Sequence, residues 1–382
     1  MMIPAKLATP RAAMMAVFAA FGVVVGVFSG SIPELIRQTG LSAYEFGIGL
    51  TVSTLSTALA MALVGPLARH VSNRAGLLVL LPLIGLSSIW VMASGSMASF
   101  FFAAFAFGAA MGGTDLFMNA EAGAIEHDLK RPVFTAFHGA VSIAIAASAL
   151  LGSWVTIKAG TFPSALIGTA ALAMAWLMVR AHVPSRITAQ TMAEPRGPLP
   201  HRPTILLLGV ISGLCVSCEI AAIQWSAKLL DDQAPTLAAI AGLGAAFYGL
   251  CNAAVRFRGD RLRARFGDIK ALRASLVIAI AGFAGLGLST TFGTGVAAFA
   301  VIGFGAALLT PCTFASIARL APDAKARALS FSSLVASPPR IVSPFLFGWV
   351  AAAQGATWAF ALCGVALVAA LMLSFLMKTA VE

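Results

Sequence analysis

The sequence predicts an all-α membrane protein, with twelve transmembrane helices arranged as two pseudo-symmetric six-helix bundles. Three observations predict it. First, 59% of the 382 residues are hydrophobic and only 10% are charged, with a mean hydropathy of +0.93; a soluble domain carries roughly 25% charged residues. A spanning helix takes about 20 apolar residues, so twelve of them use roughly 240 and leave loops of about ten, with no room for a soluble catalytic domain. Second, the formal charge of +11 sits in short loops on one side. With both ends in the cytoplasm, only Arg37, Lys158 and Lys228 of the 25 Lys and Arg fall in outward loops, and only Arg340 falls within a span. That is the cation bias of a multi-pass inner-membrane protein, and no nucleic-acid partner is expected. Third, the loop Gly65-Pro-Leu-Ala-Arg-His-Val-Ser-Asn-Arg74 is echoed by Gly259-Asp-Arg-Leu-Arg-Ala-Arg-Phe-Gly267, the two glycines standing 194 residues apart. Arg131 and Arg327 are 196 apart, so two homologous halves are expected.

Hydropathy and punctuation place the spans at 12–34, 44–68, 75–94, 97–124, 133–157 and 161–181, then 204–228, 236–257, 271–291, 294–318, 328–352 and 356–377. Residues 1–181 form the N-terminal bundle, 182–203 a cytoplasmic linker and 204–382 the C-terminal bundle. Lys6 and Arg11 before an apolar run resemble a signal peptide, but the run from Ala12 to Ile32 lacks a persuasive cleavage site and reads as the first span. The linker carries Arg186, Glu194, Arg196 and Arg202 among Pro184, Pro195, Pro198, Pro200 and Pro203. Glycines such as Gly108, Gly112, Gly113, Gly282, Gly285 and Gly287 read as helix-packing surfaces. Cys215, Cys218, Cys251, Cys312 and Cys363 all lie in apolar stretches, where free cysteine behaves as a small hydrophobe. Cys215-x-x-Cys218 lacks a soluble redox fold around it, and no disulfide framework or metal site is indicated.

Ionisable groups in hydrocarbon cost at least ~2.5–3.5 kcal/mol each, so they face an interior and usually act. Span four holds Asp115, Asn119 and Glu121. Asp115 and Asn119 are one turn apart and share a face that Glu121 cannot join. Asp115 or Glu121 is the candidate to take up and release a proton, burial favouring the uncharged carboxyl. The structural alternative for Glu121 is a pair with Lys130, Arg131 or a loop arginine at the cytoplasmic end. His138, one turn inside span five, either relays a proton to Glu121 or hydrogen-bonds a carbonyl; its unperturbed pKa lies near ~6.5. In span seven, Glu219 is a mid-span carboxylate with a place in the cavity, while Gln224 and Trp225 serve either ligand contact or the interfacial belt.

Span eleven reads Ser337-Pro-Pro-Arg-Ile-Val-Ser-Pro344, with Arg340 near the midplane of a helix expected to be broken by its prolines. Arginine cannot escape by deprotonating, so it requires an anion. Either Glu219 or Asp115 supplies it as a structural bridge, or a substrate carboxylate or phosphate does, displacing that bridge. Ser53, Thr54 and Thr57, Tyr248 and Asn252, and Thr310 and Thr313 recur at helical spacing and fill out a polar lining, though hydroxyls often bond their own helix. Glycine is never followed by lysine, so no Walker A loop is present, and neither H-E-x-x-H nor G-x-S-x-G occurs. The chain is expected to be no enzyme, to need no cofactor, and to draw energy from an ion gradient or from its substrate's own gradient.

Asp115-Leu-Phe-Met-Asn119-Ala-Glu121, Arg131-Pro132, Phe137-His138-Gly139 and Ser142 together resemble the span-four and span-five signature of the YbjJ-type bacterial inner-membrane proteins, major facilitator superfamily members related to fucose permease. Glu219, Trp225, Arg256-Phe257 and Gly259-Asp260-Arg261-Leu262 are similar to the same family's span seven and eight-to-nine loop. The resemblance implies the twelve-helix two-bundle fold, alternating access and proton coupling, with a span-four carboxylate, Asp115 or Glu121, taking part. The superfamily loop motif G-x-L-x-D-R-x-G is degenerate, with Arg69 and Ala264 where aspartates would stand. Arg340 has no counterpart in the family pattern, so a sugar substrate does not carry over.

The resulting expectation is a monomeric secondary transporter of a small polar solute, anionic or zwitterionic, moved with protons through the lipid bilayer. Its proton-coupling candidates are Asp115, Glu121, His138 and Glu219; its substrate contacts are Arg340, Asp115, Asn119, Glu219, Gln224, Trp225, Tyr248 and Asn252. The rivals are a proton-driven efflux pump for amphiphilic drugs and a non-transporting sensor or scaffold that docks a partner through a long basic loop from Arg256 to Arg273.

Overall fold

The computed structural model describes residues 5–68, 70–130, 133–187 and 197–377. Arg69, Arg131, Pro132, Glu194, Pro195 and Arg196, which the sequence reading used, lie outside them. The described chain is helical: α1 (Ala5–Thr39), α2 (Ala43–Leu67), α3 (Asn73–Met92), α4 (Met97–Leu129), α5 (Phe134–Ala159) and α6 (Thr161–His182) form the first half. The second half comprises α7 (Arg202–Gln233), α8 (Leu243–Phe266), α9 (Asp268–Gly287), α10 (Phe292–Ala306), α11 (Leu309–Leu320), α12 (Lys325–Gln354) and α13 (Ala356–Phe375). Because α10 and α11 are two pieces of one span, Phe292–Leu320, twelve segments are long and apolar enough to cross a membrane. Polar caps start several of them. Ser42 and Glu45 close a capping box at α2, and Thr291 and Thr294 do the same at α10.

The halves are packed alike. In the first, α1 lies against α5 and α6, α3 against α4 and α6, and α2 against α4; in the second, α7 lies against α12 and α13, α9 against α10 and α13, and α8 against α10. The turns correspond too: Gly160 and Gly355 close α5 and α12 with the same φ of +94°, a conformation glycine adopts without the steric penalty of a side chain. Between the halves, α2 meets α12 and α5 meets α8, while α1 meets α7. Equivalent positions on α1 and α7 touch each other: Ser29 donates to the Ile223 carbonyl, and Arg37 pairs with Asp231 at 2.7 Å, both 194 residues apart in sequence. These contacts cluster at the end that bears the Gly40, Gly160 and Gly355 turns. There Gly47 on α2 lies against Gly348 on α12, and Ser153 on α5 donates to the Ala239 carbonyl at 3.1 Å.

Two expectations need correction. Span eight was placed at 236–257 with a long basic loop after it, yet residues 235–240 form a short 3-10 turn and α8 runs on to Phe266, only Gly267 separating it from α9. The hydropathic signal fades where the arginines begin, whereas the helix continues through them to Phe266. Pro338, Pro339 and Pro344 do not break α12, which is continuous from Lys325 to Gln354. Each proline forfeits one backbone bond, but its fixed φ is itself helical. The break at membrane depth falls instead at Ala307 and Leu308, between α10 and α11.

Candidate functional site

A cavity of about 330 Å³ lies between the halves, lined from α1, α2, α4, α7 and α12. The polar face of α2 contributes Ser53, Thr54 and Thr57, which share one side of the helix through their spacing. The Thr54 hydroxyl donates to the Leu50 carbonyl at 2.9 Å, and the Thr57 hydroxyl to the carbonyls of Ser53 and Gly108 at 2.9 and 2.8 Å. The last bond needs α4 pressed against α2. A methyl group at Gly108 or Gly112 would run into the Ser53 or Thr57 carbonyl, so glycine permits that approach.

Asp115 on α4 and Arg340 on α12 both line this cavity, and Gln224 on α7 joins them. The Arg340 Nε is buried without a hydrogen-bond partner, and among the described residues its guanidinium forms no ion pair; the charge that acts on it is that of Asp115. Asp115 is held from its own helix. Asn119 Nδ2 donates to its Oδ1 at 2.9 Å and to its backbone carbonyl at 2.8 Å. The other end of that amide accepts from His138 Nε2 at 3.2 Å, so Asp115, Asn119 and His138 form a file from α4 to α5. The imidazole is flanked by Phe18 and Phe134, with ring centroids 5.3 and 5.0 Å away.

His138 opens on a second cavity of about 310 Å³, shared with Phe134, Arg256, Asp260, Thr310 and Phe314. Here the first half meets α8 and α11. Arg256 is the hub: Nη1 donates to Ser142 Oγ across the halves at 3.2 Å, Nε to the Ala307 carbonyl at 3.4 Å, and Nη2 lies 3.8 Å from Glu219. The Ala307 carbonyl belongs to the break between α10 and α11, which the guanidinium thus helps satisfy. Glu219 also accepts from Tyr248 Oη at 3.3 Å and Thr310 Oγ1 at 3.4 Å.

The structure therefore brings together some of the sequence candidates and separates others. Asp115, Arg340 and Gln224 share the central cavity, with Asn119 and His138 behind Asp115. Glu219 is not the partner of Arg340; it sits with Arg256, Tyr248 and Thr310. Glu121 is fully buried elsewhere, accepting from Asn73 Nδ2 at 2.9 Å and Arg186 Nη2 at 2.9 Å, while Arg186 also pairs with Asp128. It lines neither cavity, and His138 bonds toward Asp115 rather than toward it. Trp225 is packed, not presented: its ring stacks on Phe347 at 4.8 Å and meets Phe46 edge-on at 5.7 Å. Asn252 is buried with neither amide atom hydrogen-bonded among the described residues. The cysteines are free, and Cys218 donates to the Cys363 carbonyl at 3.4 Å.

Sequence reasoning missed the contacts of Arg256, having put it where span eight ends and the basic loop begins. The available signal was the spacing Tyr248, Asn252, Arg256, three positions one turn apart on a single helix face. It also missed which aromatic residues line the central cavity: Phe21, Phe28 and Phe107, of the chain's 26 phenylalanines.

Residues 205–382 match the family model described as Major Facilitator Superfamily. Over most of its length the chain is similar to the membrane protein MosC of Rhizobium meliloti, 25% identical over 335 residues that cover 87% of this chain and 82% of the relative. It is likewise similar to the uncharacterized transporter y4wD of Sinorhizobium fredii, at 24% identity over 390 residues, 96% of this chain and 98% of that one. Among solved structures, a point mutant of the nucleoside transporter NupG superposes with a TM-score of 0.77 at 12% identity, covering 97% of this chain and all of the other. The second half of the chain thus matches that family by sequence, and over its whole length the chain shares the fold of the NupG transporter, with twelve segments long and apolar enough to cross a membrane.

Proposed function

We propose that the protein moves a small anionic or zwitterionic solute across a bacterial inner membrane together with protons, acting as a monomer with both termini in the cytoplasm. The halves, residues 1–181 and 204–382 joined by 182–203, rock about the central cavity. With the basic loops inward, the contacts around Gly47 and Gly348 close the outer end, and both cavities lie toward the cytoplasm.

One observation carries this reading: Arg340, permanently charged, reaches a membrane-depth cavity with its Nε buried and unpartnered. Such a group is costly to leave unmatched, and Asp115 supplies the balancing charge without a direct bond. An arriving anion takes over that balance, and Asp115 then becomes neutral by binding a proton. The loaded site thereby differs from the empty one in shape but not in charge, which lets ligand binding favour closure through differential affinity. His138, linked to Asp115 by Asn119 and facing the second cavity, stands where a proton passes between Asp115 and the cytoplasmic side.

The test is a ligand-stabilisation screen of the purified protein against organic acids, amino acids, sugars and chelators, repeated in Arg340→Ala, followed by flux assays on the hits. Asp115→Asn is expected to abolish proton-driven accumulation while sparing counterflow exchange. Intact uphill uptake in that variant moves the proton site, with Glu219 the next carboxylate to replace. A second reading, proton-driven export of amphiphiles, is favoured by the aromatic part of the lining, Phe21, Phe28 and Phe107. Tight selectivity for one hydrophilic compound removes it.

A further inference from the structure

The free hydrogen-bonding capacity of the central cavity narrows the substrate class further, on the basis of the role given to Arg340 above. The hydroxyl protons of Thr54 and Thr57 are spent on backbone carbonyls, and Asp115 Oδ1 is held by Asn119. Among the described residues, what remains is concentrated in few places: the Arg340 guanidinium, the Gln224 amide and the Ser53 hydroxyl, with the second oxygen of Asp115 and the Thr54 and Thr57 hydroxyl oxygens able to accept. The rest of the wall is apolar, with Phe21, Phe28, Met61, Phe107, Met111 and Ile220 facing inward. The Phe28 and Phe107 rings lie tilted together, centroids 5.9 Å apart, offering faces and edges to a flat group.

Three substrate classes fit badly. A polyhydroxylated molecule would bring more hydroxyls than these few groups on one side can serve, and those against the apolar wall would lose their water without a replacement. A dianion would set its second charge near Asp115, since Arg340 is the single cation of the lining. An uncharged amphiphile would leave Arg340 unmatched. The volume of about 330 Å³ is at the lower end of small-molecule sites and suits a single-ring body.

We infer that the substrate is a compact organic monoanion, one carboxylate or sulfonate on an apolar, ring-sized body, carried with one proton in an electroneutral cycle. The empty site holds Arg340 positive and Asp115 negative. The loaded site holds Arg340 positive, the substrate negative and Asp115 protonated on its carboxylate oxygen. Each has no net charge, so the reorienting protein carries none across the membrane, and the proton and anion leave together on the far side.

The test uses full-length protein in detergent, with phenylacetate, benzenesulfonate, phthalate, succinate, benzyl alcohol and glucose as probes in thermal-shift titrations. Phenylacetate and benzenesulfonate are expected to stabilise it, and the other four are not. In Arg340→Gln the apparent affinity for both falls at least ~10-fold, the loss of a charge-assisted pair; Arg340→Lys, keeping charge without the fork, falls between the two. In proteoliposomes, benzenesulfonate, which stays ionised and does not leak as a free acid, is expected to accumulate under an acid-outside gradient and to ignore an imposed potential. Stabilisation by glucose or phthalate equal to that by phenylacetate, none by either monoanion, or accumulation that follows the potential overturns the inference. Succinate that stabilises the protein only when Arg340 is intact overturns the monoanion class alone and leaves anionic transport standing. Anion binding indifferent to Arg340→Gln removes both.

Discussion

Arg340, Asp115 and Glu121 are three charges at or near membrane depth whose surroundings give them different work. Glu121 is enclosed by Asn73 and Arg186, with Arg186 also reaching Asp128, so in this structure it has a cationic partner of its own. Glu121→Gln is expected to cost about 3 kcal/mol of stability, the lower end for breaking a buried pair because Arg186 keeps Asp128. The thermal midpoint should fall while proton-coupled uptake persists; coupling lost at unchanged stability would reverse that assignment. Asp115 and Arg340 were visible in the sequence because a charge in an apolar run stands out whatever the fold. The difference between Asp115 and Glu121 was not, since both lie on span four and only the tertiary neighbours of each decide its fate. Phe21, Phe28 and Phe107 were invisible for the opposite reason: in a chain of 26 phenylalanines, the cavity-facing ones carry no local mark.

Among the elements, α2 and α12 join the halves at the end that bears the Gly40, Gly160 and Gly355 turns. A side chain at Gly47 would meet the Pro344 carbonyl at 2.7 Å and the Gly348 Cα at 2.9 Å. Gly348→Leu should therefore force that end apart, over-packing costing roughly 1–3 kcal/mol and shifting the conformational balance about 5- to 150-fold toward forms open at that end. Spin labels at Gly95 and Thr236, on turns of different halves, are expected to move apart in this variant. An unchanged distance distribution would show that the glycine contact does not set the balance. Helix positions were legible from hydropathy because lipid demands about 20 apolar residues of every span. Helix continuity was not. The arginines of α8 read as a loop although the helix persists to Phe266, and the prolines of α12 read as a break although the chain stays helical past them.

For the whole molecule, the repeat offset seen in two loops reappears as geometry: Arg37 meets Asp231 and Ser29 meets Ile223 across the halves, and Gly160 and Gly355 adopt the same turn. Two alike bundles with a charge held between them fit the proposed exchange of partners at Arg340. The central claim is that the carboxylate of Asp115 and an incoming anion are alternative counter-charges to Arg340. Phenylacetate titrated into purified protein in weakly buffered detergent, with a pH-indicating dye, measures this directly. The account predicts about one proton taken up per anion bound, none in Asp115→Asn, and an affinity that tightens about tenfold per unit fall in pH while the empty-site carboxyl is ionised. Anion binding without proton uptake in the wild-type protein, or uptake undiminished in Asp115→Asn, would contradict it.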